Sequence, residues 1–491
     1  MKREIAAGAA WMILMRVCDR LLGLASTLIL ARLLTPSDFG VVAMAMSFIA
    51  LIELAGAFSF EIALIQRSNP TREHYDTAWT LNLCFSLLCA GMIVVLAPLA
   101  ARFYAEPRLI LLMCVLAVGW VLQGFENIGT VNFRRDMDFA REFRFMFRRR
   151  LIGFVVTLAC AFALKSYWAL VAGQTTMRLA GLLLSYLMHP YRPRFSLAAK
   201  RDLFSFSGWM LVTNVLGFGL ARLPHFAVGR VEGSTALGVY TMASEFARLP
   251  STEVSAPINR AVLPGLAKIK DQPDQLRQVF SQVMGITFAI ALPSCIGLAV
   301  LAAPIVDTIL GPTWTDVAPI LAVLAVAGAI EVLSANTGIA YLVLGRARLI
   351  AGLNAAKLLL LVTMAIILVP TKGALGMALA ELWAAVGTTI VSVGLMRRLL
   401  GVPLASLWRS TWRTLAASGV MAVCVHWIIG YGPNGHVSLA QMAAAIAAGG
   451  TTYVLCLVSL WAMAGRPSGA ESLAIDRLRE LLNRYREARA S

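Results

Sequence analysis

Apolar runs of roughly 20 residues recur along the chain, parted by short gaps in which arginine, lysine, proline and glycine collect. A run of that length suits a helix crossing ~30 Å of hydrocarbon and is about twice what a barrel strand needs. The pattern predicts an all-α integral membrane protein with about fourteen spans. They fall near 8–32, 39–65, 77–100, 109–133, 150–164, 166–188, 204–229, 235–257, 280–303, 317–344, 349–369, 374–396, 411–430 and 438–464. The first run, WMILMRVCDRLLGLASTLIL (Trp11–Leu30), departs from pure apolarity by carrying Arg16, Asp19 and Arg20. Each such charge costs about 2.5–3.5 kcal/mol at a helix centre in lipid. With Gly23 and Thr27 these residues follow the i, i+3/i+4, i+7 spacing and share one helical face, while the other faces are Leu, Ile, Met and Val. A one-sided polar stripe predicts a helix that lines an aqueous cavity.

The gaps fix an expected orientation. With the N-terminus inside, the inner loops hold Arg67 and Arg72, seven arginines from Arg134 to Arg150, and Arg192, Arg194, Lys200 and Arg201. Arg260, Lys268, Lys270 and Arg277, then Arg346, Arg348, Arg397 and Arg398, continue the series. Outer loops hold little beyond Arg32, Arg102, Arg108, Lys165, Arg230 and Lys372. This asymmetry predicts cytoplasmic N- and C-termini. Because Arg16 and Asp19 interrupt the first apolar core and no small-residue cleavage site follows, that run is expected to be a permanent span and not a signal peptide. Residues 466–491 place Ile475, Leu478, Leu482 and Tyr485 on one face with arginines opposite, the pattern of a basic amphipathic helix on the inner leaflet or of an ordinary solvated helix.

Composition agrees. Of 491 residues, 59% are hydrophobic and only 14% charged, and the mean hydropathy is +0.75, beyond what a soluble chain of this size can bury. The net charge of +17 lies in loops between spans, with no basic patch interleaved with aromatics, which argues against nucleic acid. All eight cysteines sit in apolar runs without a CxxC and read as small buried hydrophobes, so no metal, disulfide or cofactor is expected.

An internal repeat sets the domain plan. GAAWMILMRVCDRLLGLASTLILARLLTPSDFGVVAMAMSF aligns without a gap to FSGWMLVTNVLGFGLARLPHFAVGRVEGSTALGVYTMASEF. Trp11 meets Trp209, Arg32 meets Arg230, Gly40 meets Gly238 and Phe48 meets Phe246, all at an offset of 198 residues. VLAVGWVLQGFENIG at Val115 resembles VLAVAGAIEVLSANTG at Val323 at a similar displacement. The expected domains are therefore a six-helix lobe over 1–202, a second over 203–400, two further spans over 401–465 and the tail. An even number of spans per repeat gives both lobes the same orientation, and the cleft between them would be the substrate path.

The first-lobe charges are not repeated: Asn214, Gly217 and Phe218 occupy the aligned positions, and span 7 instead carries Arg222 and His225 one turn apart. Arg16, Arg20, Arg222 and His225 are thus the candidate anion-binding groups, at two depths. Arg16 and Asp19 could equally form a structural pair, leaving Arg20 over. Glu53, Glu61, Glu126, Glu245, Glu331 and Glu381 are intramembrane acids that either bind a coupling H+ or Na+ or pair with groups such as Arg248 and Lys357. Asp19, Glu53, Glu126, Glu331 and Lys357 are taken as supporting or coupling residues. In LLTPSDFG, Thr35 caps span 2, Pro36 suits its first position and Asp38 completes a capping box.

LARLLTPSDFG (Leu30–Gly40), ALIQRSNPTREHYDTAWTLNL (Ala63–Leu83), APLAARFY (Ala97–Tyr104), FRRDMDF (Phe133–Phe139), GVYTMASEFARLP (Gly238–Pro250) and INRAVLPGLAKIKDQPDQL (Ile258–Leu276) resemble bacterial lipid-linked-oligosaccharide flippases of the polysaccharide-transporter type. These belong to the multidrug/oligosaccharidyl-lipid/polysaccharide exporter superfamily. The resemblance covers most of the first 400 residues but not the last two spans. It implies alternating-access transfer of undecaprenyl-pyrophosphate-linked oligosaccharide across the bacterial cytoplasmic (inner) membrane for O-antigen, capsule or exopolysaccharide synthesis. Membrane lipids, a polysaccharide polymerase and glycosyltransferases are the implied partners. It transfers no agreed set of functional residues, so the site residues rest on charge placement. A multidrug antiporter of the superfamily would favour an acidic cavity, unlike span 1; a lipid II flippase is the other relative that fits. A membrane glycosyltransferase or polymerase would need larger outer loops with a carboxylate pair or metal ligands, so the protein is not expected to be an enzyme.

Overall fold

The computed structural model describes residues 2–55, 63–65, 67, 69–199, 208–269, 271–401, 404–430 and 437–467. Glu61 and nearly all of the predicted tail lie outside them. Among the described residues there is helix and no strand. The long helices are α1 (Lys2–Leu33), α2 (Pro36–Ala55), α3 (Arg72–Tyr104), α4 (Arg108–Gly124), α5 (Val131–Arg135), α6 (Phe139–Leu164) and α7 (Trp168–Met188). They continue with α8 (Gly208–Lys268), α9 (Pro273–Val300), α10 (Val317–Val343), α11 (Ala347–Leu400), α12 (Leu404–Gly430) and α13 (Leu439–Met463).

Helix occupies part or all of each of the fourteen stretches expected from the apolar runs. By length and composition alone, seven described helices can cross a membrane, or eight when α4 and the segment ending in α5, bent by 66°, count as one. Two expected pairs of spans run on as single long helices broken at a glycine. Gly233 (φ 82°, ψ −166°) interrupts α8 and Gly373 (φ 55°, ψ −132°) interrupts α11, both in conformations open to a residue without a Cβ. α6 starts at Phe139, eleven residues before the apolar run begins, because the arginine-rich stretch continues the same helix beyond its apolar part.

The chain divides into two compact units, Met1–Thr241 and Met242–Ser491. In the first, α1 packs on α6, α6 on α7, α7 on α4, and α4 and α2 on α3. The segment after α7 is strapped along the start of α3. Tyr191 Oη and the Arg194 amide donate to Asp76 Oδ1 (2.6 and 2.8 Å), the Ser196 amide to Thr80 Oγ1 (3.1 Å) and the Ala199 amide to Thr77 Oγ1 (3.2 Å). Asp76, Thr77 and Thr80 are buried, so these bonds satisfy groups that packing has removed from water. In the second unit α9 packs on α10, α12 and α13, and α10 on α11. Its core includes Leu266, Phe280, Met284 and Tyr341, with a second cluster around Met421, Val425 and Tyr453.

The turn between α1 and α2 forms as its sequence directs. Asp38 Oδ2 accepts from the Thr35 amide and hydroxyl (2.9 and 2.7 Å), the Asp38 amide donates to Thr35 Oγ1 (3.4 Å), and Asp38 Oδ1 accepts from the Tyr167 amide (3.0 Å). Beside it, α2 meets α8 at backbone contact. A Cβ on Gly40 would lie 1.7 Å from Ser234 O, and one on Gly238 1.8 Å from Pro36 O. Pro36 and Ser234 are themselves aligned in the sequence repeat, as Gly40 and Gly238 are, so each helix start presents the same two positions to the other.

Candidate functional site

The polar stripe of α1 faces α6. Asp19 pairs with Arg150 of α6 (3.1 Å). Arg150 also lines a cavity of about 140 Å³ with Leu22, Ser26, Phe154, Gln174 and Met177, between α1, α6 and α7. Arg16 and Arg20 are half-buried on the same helix. Arg150 stands at the first position of the span drawn from sequence over 150–164, and this cavity lies within the first unit.

Around α7 a second group of charges gathers. Arg149 pairs with Glu126 (3.6 Å) beside Gly181, whose missing side chain leaves room for both. The Arg178 guanidinium lies over the Trp120 ring, 4.6 Å from its centroid. A Cβ on Gly119 would stand 3.0 Å from Arg178 Cδ, so the glycine lets the arginine lie flat against α4. Glu53, exposed on α2, interacts electrostatically with both Arg178 and Arg222, and Arg178 with Arg149. Arg222 is half-buried on α8, and His225, one turn on, sets its ring edge against Tyr240 at 6.1 Å. Sequence reasoning missed Arg178. Its signal was plain, a lone arginine inside the apolar run of span 6, which is a functional marker by default in a membrane.

The predicted residues thus separate. Glu53 interacts electrostatically with Arg222 and Arg178; Asp19 and Glu126 pair with arginines of α6. Glu331 and Lys357 form a direct ion pair between α10 and α11 in the second unit, one of the two readings open for them.

Outside the spans, His189 follows α7 and its Nδ1 accepts from the Tyr191 amide (3.2 Å). Burial, then the nearby Arg141 and Arg192, hold its pKa below the ordinary 6.5, with Asp136 opposing. Glu106, in the turn before α4, accepts two hydrogen bonds from Arg108 (2.8 and 2.7 Å), which keep its carboxyl below the usual carboxylate range. Arg108 also reaches Ser37 Oγ (3.2 Å) and Ser234 Oγ (3.5 Å), beside the Gly40–Gly238 contact.

Residues 29–319 match the family model described as polysaccharide biosynthesis protein. The chain belongs to this family. Among relatives of this polysaccharide biosynthesis protein, the lipopolysaccharide biosynthesis protein WzxC of Escherichia coli (strain K12) is 24% identical over 81% of each chain. The succinoglycan biosynthesis transport protein ExoT of Rhizobium meliloti (strain 1021) is 25% identical over 66% of each. The fold resembles that of the lipid II flippase MurJ in an inward closed conformation, with TM-score 0.73 and 14% identity, over 92% of this chain and 100% of that one. This polysaccharide biosynthesis protein is a multi-pass membrane protein with the helical architecture of membrane transporters.

Proposed function

We propose that this protein is a flippase that carries a polyprenyl-pyrophosphate-linked oligosaccharide from the inner to the outer leaflet of the bacterial cytoplasmic membrane, for O-antigen, capsule or exopolysaccharide synthesis. The observation that carries the reading is the set of arginines within the helices of the first unit. Arg150, Arg178 and Arg222 come from three different helices, and Glu53 interacts electrostatically with both Arg178 and Arg222. A pyrophosphate crossing hydrocarbon must replace its lost hydration, and guanidinium groups supply charge-assisted donors for it. The polyprenyl tail stays in lipid, so no covalent chemistry is required.

The basic loops support cytoplasmic termini, and the two aligned helix starts that meet at Gly40 and Gly238 then lie on the outer side, where they close the path. The two lobes expected over 1–202 and 203–400 part and rejoin there in alternating access. A coupling H+ or Na+ and a downstream polymerase belong to this reading.

The test is a deletion strain complemented with wild type, Arg178→Ala or Arg222→Ala. Loss of surface polysaccharide and accumulation of intact lipid-linked oligosaccharide on the inner leaflet are expected in the deletion. Either variant, at normal membrane abundance, should restore less than about a tenth of export, the effect of losing one buried charge-assisted contact of ~1.5–3 kcal/mol. Full export by both variants removes the proposal.

A further inference from the structure

Helix α6 carries charge and apolarity on one outward face. Arg141, Arg144 and Arg148 are exposed at i, i+3 and i+7, and the same line of the helix continues through exposed Ile152, Val155 and Phe162. On the opposite side Phe143 stacks on Phe147 (5.4 Å) and meets Trp11 of α1 (5.1 Å). Seven residues beyond Phe143, Arg150 pairs with Asp19 of α1 (3.1 Å), so the two helices run side by side in one direction and nearly in register. Residues 144–148 therefore stand level with residues 12–17 of α1, where Met12, Ile13, Leu14 and Val17 are exposed and apolar. The apolar part of α6, residues 151–164, is only about 21 Å long, against ~30 Å of hydrocarbon. Measured along the helix from Lys165, Arg148 lies at about 26 Å and Arg144 at about 32 Å, one inside the hydrocarbon thickness and one at its edge. Arg141 pairs with Asp138 (3.1 Å). Among the described residues Arg144 donates only to Ala140 O of its own helix (3.2 Å), and Arg148 meets no carboxylate.

We propose that this face of α6 binds an anionic membrane phospholipid, whose phosphate bridges Arg144 and Arg148 while its acyl chains lie along Ile152, Val155 and Phe162. An ordinary loop arginine reaches bulk water. These two stand beside exposed apolar residues of α1, at a depth where a guanidinium needs a counter-ion. Helical side chains lean toward the helix N-terminus, here the basic end, so both arginines can snorkel toward the headgroup layer and meet a phosphate drawn down to them. Adjacent guanidiniums one turn apart suit a phosphate through charge-assisted hydrogen bonds. From Ile152 to Phe162 the exposed apolar line runs about 15 Å, the hydrocarbon depth of one leaflet. That length needs acyl chains to cover it, which selects a lipid over a soluble phosphate. Arg150, on the opposite side of α6, is not part of this site; it faces α1 and the cavity there.

The test titrates the purified full chain in detergent with phosphatidylglycerol or, in parallel, phosphatidylethanolamine, and counts bound lipids by native mass spectrometry. Wild type should hold one phosphatidylglycerol molecule at concentrations where phosphatidylethanolamine is not retained. Arg144→Gln/Arg148→Gln should weaken that molecule at least about tenfold, since each arginine near a lipid phosphate contributes about fivefold. Arg144→Lys/Arg148→Lys should keep most of the binding, showing that the charge and not the fold is responsible. Arg397→Gln/Arg398→Gln removes equal charge from exposed residues in the last turn of α11 and should bind as wild type does. Equal binding by wild type and the Arg144/Arg148 glutamine variant, or an equal loss in the α11 variant, overturns the proposal. One-for-one displacement of the phosphatidylglycerol by undecaprenyl pyrophosphate also overturns it, by giving the site to the carried substrate.

Discussion

Substituting Gly40 by alanine tests the contact between α2 and α8 most directly. The new Cβ would stand 1.7 Å from Ser234 O, whereas such atoms do not approach within 3.0 Å, so the helix starts must part by roughly 1.3 Å. The obstructing atom is backbone and cannot rotate away. Overpacking of this kind costs about 1–3 kcal/mol; at ~2 kcal/mol the closed arrangement loses about thirtyfold in population. Gly238→Ala produces the same conflict against Pro36 O at 1.8 Å. One separation relieves both, so the double variant should cost little more than either single, a coupling of at least ~1 kcal/mol. The assay is disulfide formation between Ser37→Cys and Ser234→Cys, whose hydroxyl oxygens lie 3.1 Å apart, scored in membranes against each single cysteine variant. Rapid cross-linking is expected, slowed at least about tenfold by Gly40→Ala and no further by adding Gly238→Ala. The cross-link should also stop export until reductant is added. Unchanged cross-linking in the glycine variants, or additive losses, would refute the reasoning.

Two further outcomes follow from charge placement. Lys357→Leu leaves Glu331 uncompensated in an apolar bundle and should lower thermal stability by about 3 kcal/mol, while Glu331→Leu/Lys357→Leu together recovers most of it; equal stability of single and double variants in a detergent melt would show the pair to be idle. His189 has a folded pKa below 6.5, so the unfolded chain binds the proton first as pH falls. Its contribution to stability is complete above pH 6.5 and is lost as pH drops from there through the folded value, because protonated Nδ1 can no longer accept from the Tyr191 amide. Hydrogen exchange over 189–199 should accelerate from pH 7.5 to 5.5, after correction for intrinsic rates, in wild type more than in His189→Gln; identical pH dependence contradicts this.

Much of this protein was legible locally. The helical membrane class follows from run length and apolarity, the α1–α2 turn from the Thr35-x-x-Asp38 spacing, and the breaks near Gly233 and Gly373 from the gaps between runs. These are properties of neighbouring residues, governed by helix rise, capping geometry and backbone freedom. The sequence repeat also marked Gly40 and Gly238 as equivalent. What it left open was that the two glycines touch, that Asp19 meets Arg150, and that Glu53 interacts electrostatically with Arg178 and Arg222. Each of those depends on the rotation of one helix against another and on distances between residues 125 to 198 positions apart in the chain. Periodicity gives the face of a helix but not the neighbour it meets. Side-chain packing between helices selects that neighbour, and with it decides which charges within the bundle are paired.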